Sequence, residues 1–311
     1  FNIQYDTLKI TEQEQKMNIV ILGSNGMIGT DMMTVLSKSN HIITGLTVDD
    51  LDITTKTDIN NLASIVSIKN NASTTPINII INCAAYTQVD LCETNKEAAF
   101  AINGTGVGFL AKYCAKNDII LIHFSTDYVF DGEKKDPYIE TDQTNPINIY
   151  GESKLMGDKL IESSECNYYI FRIQWVFGEH GNHFIKTIQS LAKTNSEISV
   201  VDDQWGCPSW SYDICECVVK TINQKIPFGT YHLTHPDGTT WFELAKQIVK
   251  TLTLNLKIHP TDSQSFKRPA SRPLNGRLNA GKLEKYEISI KPWTASLNDF
   301  LIKHPGGPHS S

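Results

Sequence analysis

Asn18-Ile19-Val20-Ile21-Leu22-Gly23-Ser24-Asn25-Gly26-Met27-Ile28-Gly29 is the stretch that decides the fold. It opens with a short apolar run, the pattern of a strand buried on both faces of a parallel sheet. Glycines at 23, 26 and 29 follow, and then a helical stretch to about residue 38. Such glycines let the backbone turn tightly and let a pyrophosphate approach the amides at a helix N-terminus, where the helix dipole favours an anion. The spacing is one residue longer than the usual dinucleotide fingerprint, so the glycines alone also fit a purely structural turn. Their place between a buried strand and a helix favours a nucleotide.

Working outward, the same alternation repeats. Strands are expected at 41–46, 77–81, 119–124 and 168–173, and helices at 55–70, 93–116 and 147–163. This predicts a Rossmann-like, doubly wound α/β sheet. Ligands of such sheets bind beyond the carboxyl ends of the strands. The residues that matter are therefore Gly23 to Gly29, Asn82-Cys83-Ala84-Ala85-Tyr86, and Ser125-Thr126-Asp127. Ala84 and Ala85 are small enough for a cofactor to lie against the backbone, although helix–sheet packing asks for small residues too. Gly104, Gly106 and Gly108 interrupt a helical pattern at about 1 kcal/mol each relative to alanine, and close packing of that helix on the sheet is the expected reason.

Beyond Trp175 the alternation loosens. Helices are expected at 184–192, 210–220 and 241–250, with short strands at 198–201 and 231–233. A loop over 267–277 carries three arginines beside prolines. The organisation expected is a flexible leader (1–16), a dinucleotide-binding domain (17–175), a smaller substrate-binding α/β region (176–303) with some segments returning to the first domain, and a tail (304–311).

Composition bounds the function. The chain has 311 residues, 40% hydrophobic and 20% charged, with net charge −6 and no Lys/Arg-rich run, which argues against a nucleic-acid partner. No apolar run approaches the length of a membrane span and no signal peptide is seen, so no membrane partner and a cytoplasmic location are expected. Seven scattered cysteines form no Cys-x-x-Cys pair, so neither a metal ribbon nor a redox pair is predicted.

Tyr150-Gly151-Glu152-Ser153-Lys154 places a phenol and an ammonium four residues apart. On a helix they share one face, with roughly 5–6 Å between Cβ atoms. A nearby ammonium is expected to lower the phenol pKa from about 10. A phenol tuned in this way can pass a proton to a carbonyl being reduced. The motif is common, and Tyr5-Asp6-Thr7-Leu8-Lys9 repeats it in the leader. What favours Tyr150 and Lys154 is Thr126 after the fourth strand and the glycine turn after the first. Together these are the parts of a nicotinamide-dependent carbonyl reductase, in which the cofactor supplies hydride.

The strings around these residues resemble the extended short-chain dehydrogenase/reductases, and among them the dTDP-4-dehydrorhamnose reductase family. They include Leu51-Asp52-Ile53-Thr54, Ala84-Ala85-Tyr86-Thr87-Gln88-Val89-Asp90, Ser125-Thr126-Asp127-Tyr128-Val129-Phe130-Asp131-Gly132, Arg172-Ile173-Gln174-Trp175-Val176-Phe177-Gly178 and Arg272-Pro273-Leu274-Asn275. The resemblance runs in order from Met17 to about Lys303. It implies NADPH- or NADH-dependent reduction of the 4-keto group of a dTDP-linked 6-deoxy sugar, giving dTDP-L-rhamnose. It further implies Thr126, Tyr150 and Lys154 as the catalytic set, with Tyr150 and Lys154 also touching the cofactor. Gly23, Gly26, Met27, Ile28, Gly29, Asp52, Ile53, Ala84, Ala85 and Tyr86 are the implied dinucleotide contacts. Thr126, Asp127, Tyr128, Trp175 and Arg272 are the implied substrate contacts, with no metal; a homodimer is left open.

Three positions depart from the family pattern: His183 where Asn is frequent, Ser209 where Thr is usual, and Thr47 where an acidic residue would bind the adenosine ribose. No arginine near Thr47 offers itself to a 2′-phosphate, so the choice between NADH and NADPH stays open. Two other readings compete. One is a regulatory binding protein like the methionine adenosyltransferase regulatory subunit; the other is an epimerase, dehydratase or reductase acting on a different nucleotide sugar.

Overall fold

A computed structural model describes residues 16–71, 75–235 and 237–304. The leader with Tyr5 and Lys9 lies outside the described residues except for Lys16, as does the tail except for His304. Strands β1 (Asn18–Leu22), β2 (Ile42–Leu46), β3 (Ile79–Asn82), β4 (Ile120–Thr126), β5 (Tyr168–Ile173) and β6 (Gly229–His232) form one sheet in the order β6-β5-β4-β3-β1-β2. Every pairing in it is parallel. Strand order reverses at β1, which places a crevice beyond its carboxyl end, between the loops that follow β1 and β3.

The apolar runs explain the layering. Ile19 and Ile21 face one side, packed with Met32, Ile81, Ile122 and Phe171, while Val20 and Leu22 face the other with Leu46, Ile80, Leu110 and Ile170. Successive side chains of a strand point to opposite faces, so a strand covered by helices on both sides must be apolar throughout. Helix α1 (Met27–Leu36) packs on the first face together with helix α3 (Ser211–Gln224), whose Ile214, Cys215 and Val218 complete that core. Residues 211–232 thus return to the main sheet after the chain has left it.

The remainder of the C-terminal half has its own core of Phe177, Ile188, Trp210, Leu244, Ile248, Leu297 and Phe300. Its ladders are short, apart from the parallel pair Glu197–Val201 and Lys257–Thr261.

Two expected helices are broken. The 55–70 segment is two helices, Lys56–Asn60 and Leu62–Lys69, meeting at Asn61, whose backbone leaves the helical region. The 93–116 segment is Lys96–Phe100, a π-helical turn over Ala101–Gly106, and Val107–Asn117, with a separate short helix at Val89–Cys92 before it. The glycines at 104 and 108 belong to helix–helix packing rather than to contact with the sheet. A Cβ on Gly104 would stand 2.6 Å from Met156 Sδ, and one on Gly108 2.9 Å from Leu160 Cδ1, both on helix α2 (Ile149–Glu162). Gly106 lies against the Ile53 carbonyl instead.

Candidate active site

The glycine turn is built as a cradle. Gly23 has φ +70°, a left-handed conformation that a side chain disfavours, and a Cβ there would stand 2.8 Å from Ala84 N. Gly29 lies against the Gly23 carbonyl and lets α1 start close to the loop. Around Gly26 the nearest atom to a Cβ would be Gly23 O at 3.3 Å, so this position is comparatively open. No side chain caps the N-terminus of α1 and no acidic residue stands in its first turn. Its first amides, among them those of Met27 and Ile28, therefore offer donors and a positive dipole end to an anion. The residues fit a dinucleotide pyrophosphate.

Further along the crevice, Asp52 Oδ1 accepts from Thr54 N at 2.9 Å and Thr54 Oγ1 at 2.8 Å, which fixes the turn that carries Ile53. Thr47 N and Oγ1 donate to Asp50 Oδ2 at 2.8 and 3.0 Å, and Lys69 pairs with the same oxygen at 2.6 Å. The loop after β3 is held by Asn103. Its Oδ1 accepts from Tyr86 N at 2.8 Å, and its Nδ2 donates to Tyr86 O and Ser153 Oγ, both at 3.0 Å. Ser153 Oγ donates in turn to Tyr150 O at 2.8 Å. Asn103 sits on the π turn and was not singled out from the sequence; an amide inside a glycine-rich helical run was the available signal.

Helix α2 begins where Asn148 Oδ1 accepts from Gly151 N at 2.8 Å, an N-cap that fixes the direction of Tyr150 and Lys154. The glycine at 151 is required sterically, because a Cβ would run into the Tyr128 carbonyl oxygen. Tyr150 stands beside Thr126, whose hydroxyl favours the ionised phenol, and the Tyr128 and Tyr150 rings meet edge to face at 5.7 Å. Thr126 Oγ1 donates to Asp127 Oδ1 at 3.1 Å and accepts from Tyr128 N at 3.2 Å.

One expectation is reversed here. Lys154 does not lower the Tyr150 pKa. Its ammonium turns away to donate to Phe124 O at 2.6 Å, and burial raises the phenol pKa against the opposing Thr126 hydrogen bond. Tyr150 is accordingly held protonated, as a proton donor must be. Burial lowers Lys154 to about 8, opposed by Asp158, and raises Asp127 to about 7, opposed by its bond to Thr126. Asp158 accepts from Ser125 Oγ at 2.8 Å and faces Arg172 Nε at 3.5 Å beneath the site.

Two expected substrate contacts are engaged within the protein. Trp175 has φ +43° and stacks on Trp241 with ring centroids 3.6 Å apart, its indole lying over Gly206. Arg272 Nη1 donates at 2.6 Å to both Asp90 Oδ1 and Ala270 O, and its guanidinium also reaches Tyr128. Asn148 Nδ2 ties the same loop to α2 through Ser271 O at 2.7 Å. Among the described residues no group of three or more metal-ligating side chains converges, no helix is long and apolar enough to cross a membrane, and all seven cysteines are free.

A parallel sheet with a glycine cradle at its reversal point and a Thr/Tyr/Lys cluster two strands away defines a Rossmann-type short-chain dehydrogenase/reductase. Residues 17–304 match the RmlD substrate binding domain family, and the chain belongs to it. It is 32% identical over 297 residues to the dTDP-4-dehydrorhamnose reductase of Escherichia coli, covering 92% of this chain and 97% of that one. Among solved structures, the Bacillus anthracis dTDP-4-dehydrorhamnose reductase in complex with NADP superposes with a TM-score of 0.86 at 31% identity, covering 93% of this chain and 99% of that one. The Clostridium acetobutylicum dTDP-4-dehydrorhamnose reductase gives a TM-score of 0.85 at 35% identity, with 92% and 99% covered.

Proposed function

We propose that this chain reduces the C4 ketone of dTDP-4-dehydro-L-rhamnose to the alcohol of dTDP-L-rhamnose, with NADPH or NADH as the electron donor. The observation that carries this reading is Thr126 at the carboxyl end of β4 beside Tyr150, which shares a helix face with Lys154, two strands along the sheet from the glycine cradle. The bound nicotinamide supplies a hydride to C4. Thr126 turns its hydroxyl proton from Asp127 to the carbonyl oxygen and orients it. Tyr150 gives that oxygen its proton, so that neither a free alkoxide nor solvent acid is needed. Lys154 holds the nicotinamide ribose. Gly23, Gly26, Met27, Ile28 and Gly29 cradle the pyrophosphate, while Asp52, Ile53, Ala84, Ala85 and Tyr86 line the rest of the crevice.

On the sugar-nucleotide side, Asp127, Tyr128, Trp175 and Arg272 face the substrate. Arg272 is held by Asp90 and Tyr128, so a substrate phosphate has to compete with a carboxylate for it. The matched relatives favour dTDP over other nucleotides. Purified protein is expected to oxidise NADPH or NADH stoichiometrically with dTDP-4-dehydro-L-rhamnose and more slowly with UDP- or GDP-linked 4-keto sugars. Equal rates across the nucleotides would reject the dTDP assignment, and no turnover with any of them would reject the reaction.

A further inference from the structure

His123 on β4 is wholly buried between Asn82 at the end of β3 and Lys154 on α2. Asn82 Oδ1 accepts from Ala84 N at 3.1 Å, which fixes the amide so that Nδ2 stands 3.1 Å from His123 Nδ1. An amide NH2 only donates, so Nδ1 must accept. Burial keeps His123 neutral, and a neutral imidazole that accepts at Nδ1 carries its proton on Nε2. That Nε2 lies 3.2 Å from Lys154 Nζ. An ammonium has three N–H groups and no lone pair, so it meets Nε2–H as donor against donor. A neutral amine accepts from Nε2–H and still donates to Phe124 O, giving an unbroken chain of donors from Asn82 to that carbonyl.

We propose that Asn82 and His123 form a positioning pair that favours the neutral amine of Lys154 over its ammonium and thereby sets the upper pH limit of the reaction. The proposal rests on the reductase reading, in which Lys154 holds the cofactor as a cation. The other groups facing Lys154 do not cancel the effect. Asp158, one turn along α2, favours the ammonium but is shared with Arg172 from β5 and Ser125 from β4. Tyr150, one turn back, is uncharged. The placement of Lys154 at about 8 agrees with a lysine that loses its proton under mild conditions.

Nitrogen-15 NMR of the histidine-labelled full chain, with His123 assigned through the backbone, is expected to show the Nε2–H tautomer and no imidazolium from pH 6 to 9. An Nδ1–H signal overturns the proposal whether or not the chain reduces any sugar. His123→Gln can turn a carbonyl oxygen toward Nζ. It is expected to move the basic limb of kcat/KM upward by about one pH unit, the scale of one relieved donor conflict. Asn82→Asp is the second variant. Its carboxylate accepts from Nδ1–H, switches the tautomer in the same spectrum and moves the limb the same way. A residue that merely packs would leave the limb in place, and an unmoved limb in either active variant overturns the proposal. If the sugar nucleotide is not turned over, NADPH affinity measured against pH by fluorescence gives the same reading. It should weaken above about pH 8 in the wild type and at higher pH in the variants.

Discussion

From β1 to β5 the strands of the main sheet are four to seven residues long and, apart from the edge strand β2, almost wholly buried, whereas most ladders after Ile173 are two residues long. The first half holds the glycine cradle and the Thr126/Tyr150/Lys154 cluster on regular elements. The second holds its core with helix faces and aromatic stacks such as Trp175 on Trp241 and Phe177 against Phe300. The residues proposed for chemistry therefore sit where backbone hydrogen bonds fix geometry, whereas Trp175, proposed for recognition, sits where side-chain packing does.

The comparison can be broken most sharply at Tyr150. Tyr150→Phe removes one oxygen and is expected to cut kcat by about two or more orders of magnitude, the scale of lost general-acid help, with NADPH affinity nearly unchanged. Steady-state kinetics beside a cofactor titration checks this, and an active variant would remove the phenol from the mechanism.

A pair of glycines probes the two halves directly. Gly151→Ala drives a methyl group into the Tyr128 carbonyl and is expected to cost about 3 kcal/mol or more, since neither backbone can move freely. Gly181→Ala, in the C-terminal half, meets only Met27 at 3.5 Å and pays mainly for φ +73°, about 1 kcal/mol. Urea unfolding of both variants measures the difference; equal losses would mean that the halves are equally rigid.

Asp127→Asn tests an effect that appears only as pH changes. Burial raises the Asp127 pKa to about 7 from 3.8, so the folded state binds more protons than the unfolded chain between those values. The stability contributed by this group is complete below about pH 4 and is lost as pH rises through about 7. Asparagine does not titrate, so the variant should gain on the wild type between pH 5 and pH 8, by about 1–3 kcal/mol. No change in the gap over that range would mean that Asp127 is ionised throughout.

The strand–helix alternation, the glycine turn and the cluster of Thr126, Tyr150 and Lys154 were legible because each is carried by a local pattern: an apolar run, a fixed spacing, a four-residue step on one helix face. The π turn over Ala101–Gly106 was not, because tertiary packing against α2 overrides a helical periodicity that looks continuous, and neither was the break at Asn61, which no local pattern marks. The expected lowering of the Tyr150 pKa failed for a related reason. Spacing places Lys154 on the correct face, but only the fold shows that its Nζ is drawn away from the phenol to Phe124 O and packed beside His123. Asn82, Asn103 and His123 went unnoticed as partners because each acts through a residue distant in sequence.

The π turn carries a consequence for anyone redesigning this protein. A π turn amounts to one residue inserted into an α-helix, and from within it Asn103 bonds both Tyr86 and Ser153. Deleting a residue there would regularise the helix while rotating Asn103 off the Tyr86 loop. A thermostabilised version made by idealising its helices would thus keep Thr126, Tyr150 and Lys154 and lose the clamp between the loop after β3 and the helix that carries Tyr150.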